Sequence, residues 1–562
     1  MPEKNREKFF LSCNPGPDVL NYRDKYGKTL LFGDKVMSEQ KIILSGDEAV
    51  AEGVFAAGVK LGTGYPGTPS TEILEHLSSI GGKAQWAPNE KVAMEVAIGA
   101  SFGGGRTIVT MKHVGLNVAA DPLFTLAYTG VNGGMIIVSA DDPGMASSQN
   151  EQDNRLYGAA AHLPVFEPAD SQEAYDFAIR AFEISEQFQT PVLFRITTRV
   201  CHARSIVNRW KTPETPRSFP YEKNIQKRVM VPAFAKKAHV ELHNKMKALA
   251  RWNETSDMIQ ITGPEKAPLG IITSGAAYQH SAEAAPAGTR IMKLGMTWPL
   301  PYEAIARFVE GNERTVVVEE GEKFLAGKIL EQGIKVEAKK DLFLFGELNV
   351  SKVKQLLAGD ETPEPPANPG RPPQLCPGCP HRKVFESLRD MGCIVTGDIG
   401  CYTLGVMPPF TAIDCCVCMG ASIGTGLGMR HALPEDQARK VVSVIGDSTF
   451  VHSGITGLVE MVYNRPATGH LVLILDNSTT AMTGLQENPA TGRHLDMSPT
   501  TQLDLEALCR SIGLDHVDVI DPTAKNAEFL ALVKERLASN DVSVIIARRP
   551  CILQMKKLSK YK

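Results

Sequence analysis

Short apolar runs alternate with amphipathic stretches along most of the chain, and this alternation predicts strands joined by crossover helices. In the first third of the chain the strand-like runs are TIVTMKHV, GGMIIVSA and PVLFRITT, and the helical stretches are EKVAMEVAIGA and SQEAYDFAIRAFEISEQ. Strands that are apolar on both faces and separated by helices are typical of a parallel sheet. The pattern therefore predicts a doubly wound α/β domain over residues 41–207.

The last part of the chain repeats this architecture without repeating the sequence. Its strand-like runs are VVSVIG, HLVLILDN and VSVIIARR, with helical stretches between them. A smaller α/β block precedes it, with predicted strands at Leu269–Ser274 and Arg314–Glu319. The predicted fold class is thus α/β, with two doubly wound domains joined by a smaller α/β domain.

The remaining segments have a different composition. Residues 1–40 form a polar leader, and the stretch FAKKAHVELHNKMKALARWNE predicts a helical bridging insertion at 208–264. The smaller domain then covers 265–359. Residues 360–373 are rich in proline and predict a linker without a helix, which leaves 374–562 for the second large domain.

Length, charge and hydropathy limit the domain organisation and the classes of partner. At 562 residues the chain is too long for a single hydrophobic core. Its net charge of −3 provides no attraction for nucleic acid or an anionic membrane, and its longest apolar runs are too short to span a bilayer. The N-terminus lacks the sustained apolar segment of an export signal, so we expect a cytoplasmic protein.

The most specific segment lies at the ends of two predicted strands. The run VVSVIG ends at Gly446-Asp447, and HLVLILDN ends with Asn477. Because the carboxyl ends of parallel strands meet at one edge of the sheet, Asp447 and Asn477 should converge there. One charged and one neutral oxygen ligand suit Mg2+, and the helix that starts after Asp447 offers backbone N–H groups to a diphosphate. A Gly-Asp turn alone is common, but its spacing to Asn477 favours a site.

This segment resembles the thiamine-diphosphate motif, which runs from Gly-Asp-Gly to a later asparagine. The resemblance implies that Mg2+ is bound by Asp447, Asn477 and the backbone carbonyl of Thr479, with Gly446 and Ser448 completing the cofactor turn. Ser448 stands where the general motif has its third residue, glycine. The variant Gly-Asp-Ser is associated with the indolepyruvate branch of the family.

Two further segments resemble parts of the same enzymes. In CVCMGASIGTGLG, Met419 would be the apolar residue that bends the cofactor. The carbonyl of Val417 would accept a hydrogen bond from the aminopyrimidine, and Gly420 belongs to the same binding segment. Without the resemblance, this segment reads as a glycine-rich helix start packed on a strand.

The segments GYPGTPSTEILEHL and APNEKVAMEVAIGAS resemble the pyrimidine-binding domain of 2-oxoacid:ferredoxin oxidoreductases. Glu90 falls at the position of the glutamate that pairs with the pyrimidine and assists removal of the thiazolium C2 proton, and Thr68 would contact the cofactor. A buried carboxyl with a pKa near neutrality suits such a proton shuttle. Without the resemblance, Glu90 is a first-turn glutamate favoured by the helix dipole.

The resemblance covers residues 41–204 and 269–550, and the phrases KHVGLN, SADDPGMASSQNEQDNR and LCPGCPHR point to the indolepyruvate branch. It implies oxidative decarboxylation of an aryl 2-oxoacid to the aryl-acetyl-CoA, with electrons passed to ferredoxin or another acceptor. It also implies coenzyme A as co-substrate, a smaller beta subunit as partner, and a dimer of this chain. In such folds the residues matching Glu90 and Asp447 usually meet across a dimer interface.

One departure from the pattern concerns the substrate. In the pyruvate branch an arginine after the strand that corresponds to GGMIIVSA binds the substrate carboxylate. Asp141 stands there in this chain, so pyruvate is not the expected substrate. The nearest cationic candidates are Lys112 and His113, with Thr68 as a hydrogen-bond donor, although a Lys-His pair at a strand end is equally often structural.

The cysteines are crowded, since seven of the eleven lie between Cys376 and Cys418. Without an export signal, such crowding indicates metal ligands or reactive thiols rather than disulfides. Cys376, Cys379, Cys401 and Cys551 match the four cysteines that hold the cofactor-proximal [4Fe–4S] cluster in the pyruvate branch. Zinc or four free thiols are alternatives, but zinc frameworks usually pair two short Cys/His knuckles and only one is present.

Subunits of this branch usually end in a ferredoxin-like module with repeated C-x2-C-x2-C runs. No such run occurs here, so we expect electrons to leave by another route. A non-oxidative decarboxylase, which needs no cluster, and a non-catalytic zinc-binding scaffold are alternatives to the oxidoreductase. The intact set of Glu90, Asp447 and Asn477 argues against the scaffold.

Overall fold

The structure is a computed structural model that describes residues 22–23, 29–30, 40–216, 221, 223–363, 370 and 372–559. Most of the predicted leader and much of the predicted linker lie outside these residues. Two short strands of the leader, β1 (Tyr22–Arg23) and β2 (Thr29–Leu30), pair antiparallel.

The first large domain contains eight strands and eight helices. The strands are β3 (Gln40–Ser45), β4 (Leu61–Gly64), β5 (Ala84–Trp86), β6 (Thr107–Lys112), β7 (Met135–Asp141), β8 (Val165–Phe166), β9 (Val192–Thr197) and β10 (Arg204–Arg209). The helices are α1 (Gly46–Ala56), α2 (Thr71–Ser79), α3 (Glu90–Phe102), α4 (His113–Val118), α5 (Ala120–Thr129), α6 (Arg155–Ala161), α7 (Ser171–Phe188) and α8 (Thr198–His202). Six of these strands form a parallel sheet in the order β8-β9-β7-β6-β4-β5, while β3 and β10 pair separately and antiparallel.

The central strands are apolar throughout because helices cover both faces of this sheet. Ile136 and Val138 of β7 pack in one core with α1, α2 and α7. Met135 and Ile137, on the opposite face of the same strand, pack in a second core with α3 and α5. All seven residues of β7 are buried, as expected for a strand between two helical layers.

The insertion and the smaller domain follow. The insertion carries helices α9 (Ile225–Arg228) and α10 (Pro232–Asn253). The smaller domain has strands β11 (Ile259–Thr262), β12 (Ala267–Thr273), β13 (Arg290–Leu294), β14 (Met296–Trp298) and β15 (Asn312–Val318). Its helices are α11 (Gly275–Ala284), α12 (Tyr302–Glu310), α13 (Phe324–Glu331) and α14 (Val350–Ala358), with a 3-10 turn at Asp341–Leu344.

Four of these strands form a sheet in the order β11-β13-β12-β15, in which β11 is antiparallel and the others are parallel. The fifth strand, β14, leaves this sheet and pairs antiparallel with β8 of the first domain. The first sheet therefore has seven strands. The smaller domain is joined to the first domain by main-chain hydrogen bonds.

The second large domain has a five-stranded parallel sheet. Its strands are β16 (Ile394–Thr396), β17 (Val441–Gly446), β18 (His470–Asp476), β19 (His516–Ile520) and β20 (Val542–Arg548). Its helices are α15 (His381–Asp390), α16 (Ala421–Ala432), α17 (Glu435–Ala438), α18 (Asp447–Thr449), α19 (Ile455–Tyr463), α20 (Leu505–Ser511), α21 (Asn526–Ala538) and α22 (Ile552–Ser559). A 3-10 turn covers Cys401–Val406, and a π-helical turn covers Phe450–Gly454 between α18 and α19.

The strand order is β16-β17-β18-β20-β19, and every pair is parallel. The carboxyl ends of β16, β17, β18 and β20 therefore lie along one edge, where loops form a ligand crevice. The α/β prediction of two doubly wound domains and a smaller third is confirmed. Within the described part of the chain, no helix has both the length and the apolar character needed to cross a membrane.

Candidate cofactor site and cysteine cluster

The turn after β17 lines a cleft of about 500 Å³ between the two large domains. Asp447 begins α18 in this turn and is 2% exposed. Among the described residues no group donates a hydrogen bond to its Oδ2. Burial, together with the nearby charge of Asp476, raises the pKa of this carboxyl well above its usual value. A bound cation would remove that penalty, so the unpartnered oxygen fits a metal ligand.

Asn477 and Thr479 line the same cleft on the loop after β18. The Asn477 Oδ1 accepts a hydrogen bond from the backbone N–H of Thr479 at 3.1 Å. Both residues are buried. The structure therefore brings the three predicted Mg2+ ligands to one edge, and their donor set of carboxylate, amide and main-chain carbonyl is one that Mg2+ accepts.

Ser448 connects the two large domains. Its Oγ lies 2.9 Å from the hydroxyl of Tyr65, in the loop after β4, and accepts a hydrogen bond from Thr480 at 2.8 Å. Serine in place of the motif's glycine thus adds a polar contact across the cleft. Gly446, by contrast, leaves no room for a side chain, because a Cβ there would lie 2.5 Å from the Tyr402 ring.

The contact between Tyr65 and Ser448 leads to a first prediction. Tyr65→Phe should weaken thiamine diphosphate binding about fivefold, since one neutral hydrogen bond contributes about 1 kcal/mol net. Calorimetric titration measures the change, with Tyr463→Phe, whose ring is 83% exposed, as the control. An unchanged affinity, or a loss above a hundredfold, would contradict the role assigned to this bond.

The glycine-rich segment before α16 contributes part of the wall. Met419 lines the cleft, whereas Val417 is exposed and is not among the lining residues. Gly420 has a φ of 83°, a conformation that favours glycine. Asp398, which the sequence analysis did not single out, accepts backbone N–H bonds from Gly420 at 2.8 Å and Ser422 at 3.0 Å. This buried carboxylate anchors the start of α16.

Glu90 begins α3 and is 5% exposed. Its Oε2 lies 2.7 Å from Nε2 of His452, which belongs to the π-helical turn that follows Asp447. The His452 ring packs edge-on against Tyr65 with centroids 4.7 Å apart. Glu90 is not itself among the residues that line the cleft. It connects to the cleft wall through His452 and Tyr65.

These contacts correct one expectation. Glu90 and the turn at Asp447 come together within one chain, because the two large domains pack against each other directly. Asn89 adds a hydrogen bond from its Nδ2 to the carbonyl of His452 at 2.9 Å. Within this chain the two halves of the site therefore meet directly rather than across an interface with a second copy, while the expected dimer of this chain stays a prediction. His452 was missed although it follows Gly-Asp-Ser closely in the sequence.

The predicted substrate residues do not line the cleft. The Lys112 Nζ donates to the carbonyl of Ser147 at 2.8 Å, and burial lowers the pKa of this lysine. His113 is completely buried, with Nε2 3.1 Å from the carbonyl of Asn150. Thr68 is half-buried on the loop after β4 and is also absent from the cleft wall. Lys112 and His113 instead hold the loop that follows β7.

Asp141 does not face a substrate either. Its Oδ2 accepts a hydrogen bond from Nε of Arg195 on the neighbouring strand β9 at 2.6 Å. Glu167 pairs with the same guanidinium, and all three side chains are buried. Asp141 therefore compensates a buried arginine. Its charge compensates Arg195, and this position offers no positive charge to a substrate carboxylate.

The four cysteines of the predicted cluster come together. They line a second cleft, of about 470 Å³, which adjoins the first because Cys401 and Asn477 line both. The parallel sheet explains the convergence: Cys401 follows β16 and Cys551 follows β20, on either side of β17 and β18. The backbone N–H of Cys551 also donates to the carbonyl of Asn477 at 2.9 Å, which joins the two loops. The four cysteines are Cys376, Cys379, Cys401 and Cys551.

The state and spacing of these thiols bear on what they bind. All described cysteines are free. Burial and the neighbouring cysteines raise the pKa of Cys401 to about 12, and burial raises that of Cys379 to about 11, so a metal is needed to hold them as thiolates. In the described chain, three metal-ligating atoms lie within 4.8 Å of one another only in groups that contain none of these four cysteines. No three of these four sulfurs are therefore as close together as the ligands of one tetrahedral zinc, whose sulfurs would lie about 3.8 Å apart.

His381 is a further residue that the sequence analysis missed. It begins α15, two residues after Cys379, and lines the cysteine cleft. Its Nε2 lies 3.2 Å from Nδ2 of Asn477. Burial lowers the pKa of His381 to about 4, so the ring is neutral at physiological pH. A neutral imidazole therefore contacts the Asn477 side chain within the cysteine cleft.

Two family models match the chain. The model described as "Pyruvate flavodoxin/ferredoxin oxidoreductase, thiamine diP-bdg" matches residues 52–260, and the model described as "Thiamine pyrophosphate enzyme, C-terminal TPP binding domain" matches residues 398–547. The first match contains Glu90 and the second contains Asp447. Fold and site thus define an enzyme of the thiamine-diphosphate-dependent 2-oxoacid oxidoreductase class.

Similar proteins identify the family within this class. The chain is similar to proteins named indolepyruvate oxidoreductase subunit IorA from three archaea. Identity is 39% with that of Archaeoglobus fulgidus (92% of this chain, 87% of the relative), 38% with that of Methanothermobacter marburgensis (91% and 87%) and 38% with that of Pyrococcus horikoshii (92% and 86%). The chain belongs to the IorA family of indolepyruvate oxidoreductase subunits. The resemblance deduced from its motifs is confirmed.

Proposed function

We propose that the chain catalyses oxidative decarboxylation of an aryl 2-oxoacid of the indolepyruvate or phenylpyruvate type. The product is the aryl-acetyl-CoA, and the electrons pass through a [4Fe–4S] cluster to ferredoxin or another acceptor. The observation that carries the proposal is the adjacency of the two clefts. Cys401 and Asn477 line both the cofactor cleft and the cysteine cleft.

In this proposal Asp447, Asn477 and Thr479 bind Mg2+, and the start of α18 offers backbone N–H groups to the diphosphate. Gly446 and Ser448 shape that turn, while Met419, Gly420 and the carbonyl of Val417 hold the pyrimidine, next to Thr68. When bound, thiamine diphosphate supplies the electron sink for the electron pair left by departing CO2. The shared edge of β17 and β18 supports the Mg2+ and diphosphate assignments, and the place of Met419 in the cleft wall supports its own. Gly420, Val417 and Thr68 do not line the cleft, and their assignment comes from the family resemblance.

Glu90 has the role of moving a proton at the pyrimidine. Its carboxylate is buried, which excludes water from competing for the proton, and His452 holds its Oε2 at 2.7 Å. The His452 ring is in turn held by its edge-on contact with Tyr65. Glu90 is thus joined to the π-helical turn that directly follows the helix carrying Asp447.

The cysteines provide the route for electrons. A [4Fe–4S] cluster bound by Cys376, Cys379, Cys401 and Cys551 would lie one layer of residues from the cofactor cleft. The hydrogen bond from Cys551 to Asn477 fixes the distance between the two loops. A non-oxidative decarboxylase has no use for four converging thiols at this position, which favours oxidation.

The remaining assignments concern the substrate carboxylate, the partner subunit and the cellular compartment. Of the residues proposed for the substrate carboxylate, Lys112, His113 and Thr68, the Lys112 stem approaches Gly67 in the loop that carries Tyr65, and its Nζ would have to leave the Ser147 carbonyl to reach a substrate. The relatives are named as subunits, which supports a smaller beta subunit as partner. The free thiols favour a reducing compartment, and we therefore assign the protein to the cytoplasm.

The variant Cys379→Ser tests the electron route. It should lose most of the bound iron and sulfide and all reduction of the acceptor, because a four-iron cluster needs four thiolates. Thiamine diphosphate should stay bound. Cys393→Ser, a half-buried thiol of the same domain outside the four, is the control and should keep its iron. Unchanged iron in Cys379→Ser, or an aldehyde as the wild-type product, would contradict the proposal.

A further inference from the structure

Outside both clefts, three histidines form a second group of metal-ligating side chains. His162, His239 and His243 bring ring nitrogens within 4.8 Å of one another. His239 and His243 lie one turn apart on helix α10 of the insertion, and His162 follows helix α6 of the first domain. We propose that these histidines bind a divalent late transition metal ion, of which Zn2+ is the first candidate.

The geometry of the pair on α10 supports the proposal. The Nε2 atoms of His239 and His243 lie 3.1 Å apart. Two nitrogens bound to one tetrahedral zinc at about 2.0–2.1 Å are about 3.3–3.4 Å apart, so the pair needs little movement to bind one ion. The ring of His243 is centred 4.7 Å from the ring of His162. The third ligand is therefore already beside the other two.

The chemistry of the group also fits a metal ion. Imidazole binds metals in its neutral form, which is its usual form at physiological pH. Imidazole ligands select zinc, copper and nickel over magnesium and calcium, and three ligands leave a fourth position for water.

The surroundings hold the rings in place. The His239 ring stacks on Tyr128 of α5, with centroids 5.6 Å apart and planes 14° apart. His162 has a φ of 56° because it ends helix α6 in the left-handed C-cap conformation, which fixes its backbone beside α10. Leu242, between the two histidines of α10, is buried in the core of the first domain. A bound ion would thus fasten the insertion to that domain.

Zn2+ titration of the full-length chain, purified anaerobically with its cofactors in place, tests the proposal. The wild type should bind one more Zn2+ than His243→Ala. Affinity for that ion should fall more than about 100-fold in the variant, because losing an outer-shell partner alone typically costs about 10–100-fold. The control is His431→Ala, an exposed histidine of α16, which should match the wild type.

Co2+ spectra separate this site from the cysteine cluster, since thiolate ligands add charge-transfer absorption and imidazoles do not. The expected result is a Co2+ spectrum without thiolate absorption that depends on His243. Zn2+ should also raise the Tm of the wild type and leave that of His243→Ala unchanged. Equal Zn2+ stoichiometry and affinity in the wild type and His243→Ala would overturn the proposal.

Discussion

Asp447→Ala should abolish the Mg2+-dependent binding of thiamine diphosphate while leaving the fold intact. The affinity for thiamine diphosphate should fall by a factor between about one hundred and several thousand, because a buried charge left without its partner costs about 3–5 kcal/mol. Burial raises the pKa of this carboxyl, so ionised Asp447 destabilises the cofactor-free chain at neutral pH. The variant without cofactor should therefore be at least as stable as the wild type.

Calorimetric titration with Mg2+ present and absent measures the loss, and thermal denaturation checks the fold. Asp436→Ala removes an exposed aspartate from α17 of the same domain and serves as the control. If Asp447→Ala kept its affinity, the metal would be bound elsewhere and the assignment of the turn would be wrong. Loss of affinity together with unfolding would mean that Asp447 is structural.

Glu90→Gln should bind thiamine diphosphate normally and slow exchange of the thiazolium C2 proton about 10²–10⁴-fold, which is the usual contribution of a positioned acid or base. Glutamine is nearly isosteric and keeps a hydrogen bond to His452, so the packing of α3 against the turn survives. The amide has no proton to give or take at this pH. Binding and exchange are therefore expected to separate in this variant.

NMR of C2–H exchange in deuterated water measures the rate. The control is Glu95→Gln, five residues further along the same helix, which changes an exposed glutamate paired with Lys91 and should leave C2–H exchange at the wild-type rate. Exchange in Glu90→Gln at that same rate would make Glu90 a structural first-turn residue. Another acid would then be needed beside the pyrimidine.

Local patterns in the sequence were enough to predict the strands that position the site. The run VVSVIG is strand β17 from its first residue to its last, and HLVLILDN contains all of β18. Such strands are apolar because helices bury both faces, and parallel order then fixes where their carboxyl ends lie. Asp447 and Asn477 converge for that reason, and so do the cysteines after β16 and β20.

Contacts between distant segments could not be predicted in this way. His452 reaches Glu90 across 362 positions of sequence, and Tyr65 reaches Ser448 across 383. Neither histidine nor tyrosine carries a local signal of its partner. Strand β14 pairs with the first domain rather than with its neighbours in the sequence, for which its three residues give no pattern. The sequence connected Asp141 with the substrate site because it gives no sign that Asp141 pairs with Arg195, which lies on another strand.

Electrons released at the cofactor cleft should enter a cluster bound by the neighbouring cysteines. The most direct measurement is EPR of the anaerobically purified complex, frozen after mixing with an aryl 2-oxoacid and coenzyme A without an external acceptor. The expected result is the signal of a [4Fe–4S] cluster reduced by the first of the two electrons, with the aryl-acetyl-CoA forming once a one-electron acceptor is added, and both should be absent in Cys379→Ser. Release of CO2 and an aldehyde with no iron signal would contradict it.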